Sequence, residues 1–147
     1  MQSGCVRRTI MKAAALVGLV VGLSAVSASA ADASLLGTHW RLVSVDGHTA
    51  DASRREPYIL LGDDGTISGG TGCNSFNAGY RLDGAALSFS FFATTRMYCK
   101  EVFDQERLIL DTMPQVASWH VSGDRLELKD AAGTVLAVYE AVPGGTE

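Results

Sequence analysis

The sequence predicts a mainly β protein, a small antiparallel, barrel-like meander of about seven or eight strands with one α-helix covering an end. Three observations lead there. Asp- and Gly-containing turns at 62–65, 83–84 and 123–124 separate short apolar segments, the pattern of successive hairpins. Only residues 100–113 repeat their apolar side chains with the period of a helix. A meander of so many short strands leaves unpaired edges unless it curls shut, so a small barrel plugged by the lone helix is the expected architecture.

In chain order, residues 38–46 (THWRLVSVD) form the first strand, rich in β-branched and aromatic residues and ending at the turn pair Asp46-Gly47. A polar loop follows over 50–57. Strands 58–61 and 66–70 flank Gly62-Asp63-Asp64-Gly65, where Asp and Gly supply an Asx turn or a positive φ. Strands 78–82 and 86–91 flank Asp83-Gly84, with Tyr80 and Leu82 sharing one face and Leu87, Phe89 and Phe91 another. The helix gathers Val102, Phe103, Ile109, Leu110 and Met113 on one side and carries Glu101 and Asp104 near its positive end; Pro114 stops it. Strands 118–122 and 125–130 flank Gly123-Asp124. The second of these alternates Leu126 and Leu128 inward with Arg125, Glu127 and Lys129 outward, so one of its faces meets water. The last strand, 134–142, is apolar at both parities, as a strand covered on two sides would be, and residues 143–147 should fray.

The 147 residues carry 12 Lys+Arg against 16 Asp+Glu and are 47% hydrophobic. That length suits one compact domain, and the hydrophobic share is too high for a disordered chain. A net charge of −4 argues against nucleic acid as a partner, which would call for a basic face.

Residues 1–30 read as a secretory signal peptide. Arg7, Arg8 and Lys12 precede the uncharged run AAALVGLVVGL, and Ala28-Ser29-Ala30 supplies a small-x-small cleavage site, placing the cut after Ala30. A transmembrane anchor is the other reading of this run, but Ser and Ala fill its second half, so no membrane span is expected after cleavage. Met11 opens a second, self-sufficient signal, which would leave Cys5 untranslated; Cys5 also precedes the apolar run, so it is no lipoprotein acylation site. Cleavage removes three basic and no acidic residues, leaving 9 Lys+Arg against 16 Asp+Glu, a net charge of −7. The product would be exported, periplasmic or secreted, and is expected to be a monomer.

The exported part keeps only Cys73 and Cys99, an even pair in an oxidising compartment, and a disulfide between them is expected. The competing reading, two free thiols with one reactive, finds no His within several residues of either to lower a thiol pKa.

Three segments stand out together: Gly37-Thr38-His39-Trp40-Arg41-Leu42; Gly70-Thr71-Gly72-Cys73-Asn74-Ser75-Phe76; and Thr95-Arg96-Met97-Tyr98-Cys99 ahead of the helix. Through them the chain resembles the META domain family, which includes the heat-shock protein HslJ. The resemblance covers residues 36–142, and its most specific element is the pairing of Thr-Gly-Cys-Asn-x-Phe with Thr-x-Met-x-Cys. It implies a single β-rich domain with one helix, associated with stress response or cell-envelope integrity and without an established catalytic activity.

The same residues read by their chemistry point to structure. Gly69, Gly70 and Gly72 around Thr71 suit a bulge or a corner of a closed sheet; a phosphate cradle would require a Lys and a Ser or Thr opening a helix after them. Asn74 can take left-handed backbone geometry or bond neighbouring amides while Phe76 drops into the core. Glu106 falls in the middle of the helix's apolar face, so its carboxylate needs a partner, either an Arg, with Arg96 the first candidate, or a cluster of backbone amides. As a general acid or base it would want a second group, and no paired carboxylate or His is spaced to serve. His39, His48 and His120 lack the i, i+2 or i, i+4 companions of a metal site, so no metal or cofactor is expected. Trp40 and Trp119 most simply anchor the core. No Gly-x-Ser-x-Gly elbow is present.

These observations favour an exported, non-enzymatic domain acting through a protein partner in the envelope or through the envelope itself. Two alternatives differ in class. A closed barrel could carry a small apolar ligand, although Trp40, Phe89, Phe91, Trp119 and Leu128 suggest a filled interior. A rigid loop such as 53–57, with Arg54-Arg55, or 92–98 could inhibit an extracytoplasmic protease.

Overall fold

A computed structural model describes residues 33–144. The expected signal peptide, its cleavage site, Cys5 and the alternative start at Met11 all lie outside the described residues.

Nine strands form one antiparallel sheet: β1 (Trp40–Val45), β2 (His48–Thr49), β3 (Tyr58–Leu61), β4 (Thr66–Gly70), β5 (Ser75–Asp83), β6 (Ala86–Thr94), β7 (Ser118–Ser122), β8 (Arg125–Lys129) and β9 (Val135–Ala141). Eight of them close into a barrel in the order β1-β3-β4-β5-β6-β7-β8-β9, because β1 pairs with β3 on one side and with β9 on the other. The closure removes the edges that a meander of short strands would otherwise expose. The remaining edge of β1, at Ser44 and Val45, is taken by β2.

The strand β2 is absent from the sequence reading. Its two residues have no room for alternation, and it exists because Asp46 (φ 47°) and Gly47 (φ 75°) both adopt positive φ, which folds the chain straight back in a two-residue hairpin. Strands β5 and β6 are also longer than expected, nine residues each, because a register shift between Asn77 and Gly79 lets pairing continue past the irregularity. Their far end projects beyond the core, so Tyr80 is half-buried and Leu82 exposed, while Leu87 and Phe89 turn inward as expected. The side chain of Phe91 lies outside what is described.

The interior is filled by Trp40, Ile59, Leu61, Ile67, Phe76, Leu87, Leu126, Leu128 and Tyr139, each at most 2% exposed. Both neighbours of Leu126 and Leu128 behave as alternation requires, and Leu136 to Tyr139 of β9 are all buried, as its continuous apolar run predicts. Trp40 is fully buried, its indole N–H donating to the Leu35 carbonyl at 3.0 Å. Trp119 is only half-buried and donates to the Gly84 carbonyl, bracing the seam where β6 and β7 meet.

Between β6 and β7 the chain makes a 3-10 turn (Lys100–Val102), the helix α1 (Phe103–Thr112) and a second 3-10 turn (Met113–Gln115) that contains Pro114. Val102, Ile109 and Met113 are buried as expected, but Phe103 is 44% exposed and Leu110 half-buried. A 3-10 turn advances about 120° per residue rather than 100°. The phase of a continuous helix therefore fails across the Val102–Phe103 junction, and Phe103 swings to the outer side.

Gly69 has no substitute in this fold. A Cβ there would lie 2.3 Å from the Phe76 ring and 2.7 Å from the Tyr58 carbonyl, so the missing side chain lets Phe76 of β5 lie across β4.

Candidate functional site

The loop 71–74 joining β4 to β5, the segment 95–99 following β6, and α1 meet at one place, and buried polar groups hold them together. Backbone bonding from Thr71 N–H to the Asn74 carbonyl (2.9 Å) closes the first loop. Gly72 sits inside it at φ 94°, a conformation that favours glycine; a Cβ would also come within 2.9 Å of Gln105 Nε2. The Thr71 hydroxyl accepts the Asn74 N–H at 2.9 Å and donates to Glu106 Oε2 at 2.8 Å.

Asn74, 2% exposed, is the centre of the arrangement. Its Nδ2 donates to the Glu106 carboxylate (2.8 and 3.0 Å) and to the Met97 carbonyl (2.9 Å). Its Oδ1 accepts the Thr95 hydroxyl (2.7 Å) and the Met97 N–H (2.8 Å). Thr95 Oγ1 in turn accepts the Ser75 N–H at 3.1 Å. One amide side chain thus does for segment 95–97 what a neighbouring strand would do, reading both its N–H and its C=O. Cys73 and Cys99, each 3% exposed, are bonded with Cα atoms 5.9 Å apart, a second tie between the same two segments. They pack with Val102 in a small apolar cluster of their own.

Glu106 is half-buried and its partners are neutral, the Thr71 hydroxyl and the Asn74 amide. The expected pairing with Arg96 does not occur. Arg96 is exposed and makes no ion pair, because Thr95 and Met97 on either side of it are both engaged by Asn74 and hold the segment with Arg96 turned to solvent. The expectation of a cluster of backbone amides also fails: side-chain donors take that place.

The sequence reading missed Gln105. Its Oε1 accepts the Asp51 N–H at 2.6 Å, while its Nε2 donates to the carbonyls of Asp51 (3.0 Å) and Thr71 (2.9 Å), tying the polar loop after β2 to the same junction. A glutamine beside the helix's apolar face carries no spacing signal, and only the meeting of the two loops shows its role. Of the remaining motif residues, Phe76 and Trp40 belong to the main core, and Gly70 lies under the Tyr58 ring, which a Cβ would meet at 3.0 Å.

The buried polar groups are therefore engaged with one another: both carboxylate oxygens of Glu106 accept from Asn74, one of them also from Thr71, and both ends of the Asn74 amide are used. Among the described residues no three His, Cys, Asp or Glu side chains are grouped to hold a metal ion, and no helix is long and apolar enough to cross a membrane.

This geometry makes Glu106→Gln destabilising. Nδ2 of Asn74 lies within 3.0 Å of both carboxylate oxygens, so either orientation of the new amide sets an NH2 group against another NH2 group. A loss of about 1–3 kcal/mol is expected in urea unfolding. A variant as stable as the wild type would show that the carboxylate is not required there.

No curated protein matches this chain. Three solved structures share its fold. An NMR structure is 24% identical with a TM-score of 0.58, covering 71% of this chain and 88% of its own. An NMR structure of a protein from Burkholderia xenovorans is 22% identical with a TM-score of 0.60, over 74% and 84% of the two chains. The crystal structure of a DUF4847 family protein from Bacteroides vulgatus is 12% identical with a TM-score of 0.56, over 72% and 93%. The family match is broader: residues 33–143, nearly the whole described chain and every residue of the Asn74 junction, fit the META domain, and the chain belongs to that family.

Proposed function

We propose that this META domain is exported and works by binding within the cell envelope, in stress response or envelope integrity, and not by catalysis. The observation that carries the reading is the use to which the motif residues are put. Thr71, Asn74, Thr95 and Glu106 satisfy one another across three segments, which is the service of a scaffold. A general acid or base needs an atom free to reach a substrate. Two further features support export: the basic, apolar and small-residue sequence of the first 30 residues, and a disulfide that an oxidising compartment would preserve. The tightly filled barrel interior gives a carrier of apolar ligands no support.

Expressed with its own leader in a Gram-negative host, the protein should be recovered in the osmotic-shock fraction, beginning at Ala31, with Cys73 and Cys99 oxidised. Retention in the cytoplasm with residues 1–30 still attached would refute export. Purification of a substrate-turnover activity abolished by Glu106→Gln in a folded variant would refute the scaffold reading.

A further inference from the structure

Residues 93–101 lie on the outside of the molecule almost from end to end: of these nine, only Cys99 is buried. A segment with so little apolar burial is held by its specific ties and not by packing. Those ties are unevenly placed. The Thr95 N–H donates to the Ser75 carbonyl at 3.0 Å, and Asn74 engages both the N–H and the carbonyl of Met97. Beyond Met97, no hydrogen bond or ion pair of residues 98–101 reaches the barrel among the described residues. The Cys99 carbonyl accepts the Val102 N–H of the turn that follows, and the Tyr98 ring leans on Phe103, itself on the outer side. What fastens this stretch to the barrel is the Cys73–Cys99 bond.

That bond lies away from the main core. Both sulfurs pack with Val102 in a separate small cluster, whereas the main core gathers the barrel strands together with Ile109 and Met113. The helical segment is therefore seated on the barrel by its second half, without the help of the sulfurs. Residues 98–101 hang between two points that are fixed on their own account, Met97 at one end and the helix at the other. Opening the S–S bond frees this strap and takes no side chain out of the main core.

We propose that the disulfide is a redox latch on the strap 98–101: the barrel folds in the dithiol form with the strap free, and oxidation fastens the strap and lays Tyr98 against Phe103. Closure is thiol–disulfide exchange with a disulfide-bearing oxidant. One cysteine thiolate attacks a sulfur of the oxidant, forming a mixed disulfide and releasing one thiol. The other cysteine thiolate then attacks the first cysteine's sulfur, forming the Cys73–Cys99 bond and releasing the oxidant's second thiol. The two cysteines give up two electrons and two protons, and the oxidant gains them. Once joined, both sulfurs are buried, so a thiol reductant has little access to them and the latch stays shut. The inference goes beyond the binding role proposed above and does not depend on it.

The test is native-state cleavage by trypsin of the purified full chain, comparing the oxidised protein with Cys73→Ala, Cys99→Ala well below the melt of the variant. Each cut is located by mass spectrometry after reduction. Cleavage after Lys100, within the strap, should be about 10-fold faster or more in the variant, because the rate follows the population of the open form. It should precede the cuts after Arg125 and Lys129, which lie in β8. It should also change little with low urea, since opening the strap exposes little surface, whereas the cuts in β8 require the barrel to open and should rise steeply. Equal cleavage after Lys100 in the two proteins would overturn the proposal. So would a Lys100 cut that rises with urea in parallel with those in β8, because the bond would then staple the whole domain. A variant with no cooperative melt would overturn it too, since the barrel would need the bond to form. Export is read by fractionation and stands or falls separately from all of these results.

Discussion

Asn74→Ala should lower the unfolding free energy by about 3–4 kcal/mol, the sum of several buried groups left without partners at about 1 kcal/mol or more each. The alanine removes two acceptor contacts and the donors to Glu106 and Met97 at once. The Met97 amide and the Glu106 carboxylate then need water where the wild type has a closed junction. Urea unfolding at neutral pH measures the loss, and a midpoint shift worth under about 1 kcal/mol would show that the junction is not a source of stability. Asn74→Asp is the sharper variant. It preserves the side-chain shape and the acceptor for Thr95 and Met97, but it sets a second carboxylate within hydrogen-bond distance of Glu106. Two like charges at that distance disfavour ionisation of both, so Asn74→Asp should be less stable than wild type at pH 7 and regain part of the loss as acid protonates one of the pair.

Removing the disulfide by Cys73→Ala with Cys99→Ala should have an effect of similar size. The bridge closes a loop with a sequence separation of 26, for which the entropy it removes from the unfolded chain is worth about 3.5 kcal/mol. For a domain of this length that corresponds to a fall of about 15 °C in Tm. Both sulfurs are buried, so reductant acts only when the chain opens, and the double substitution is the cleaner comparison. An identical melt would mean that the two cysteines are not joined in the isolated protein. Because the bridge and Asn74 fasten the same two segments, the combined variant should not lose the sum of the two effects, and a double-mutant cycle reads the difference. Once the disulfide is gone, Asn74 and the Thr95–Ser75 hydrogen bonds hold segment 95–99 against the turn from β4 to β5.

Local chemistry made much of the fold legible. The turns at 62–65, 83–84 and 123–124 lie where Asp and Gly place them, and the alternation around Leu126 and Leu128 assigns the faces of β8 without reference to any neighbour. Periodicity failed where its assumption of one regular helix failed: the 3-10 turn at Lys100–Val102 rotated Phe103 out of the core and, with Tyr98, made the exposed pair. The position of Glu106 showed that its carboxylate needed partners, because the burial of the face on which it lies is a local property of the helix. Which partners it has is not local, since Thr71 and Asn74 are 35 and 32 residues away in the chain. Arg96 was the candidate because Cys99 bridges its loop to the sheet, and the choice between a cation and a neutral amide depends on which side of segment 95–97 faces inward.

By itself the sequence determined the β-rich class, the hairpins, the cysteine pair and the family motifs, because turns, alternation and composition act over a few residues. Only the tertiary structure decided that the barrel closes through β1 and β9, that Asn74 rather than Arg96 receives Glu106, and that Phe103 turns outward to meet Tyr98. Those outcomes depend on which distant segments arrive at the same place, and chain closure brings together side chains whose separation in sequence holds no record of their contact.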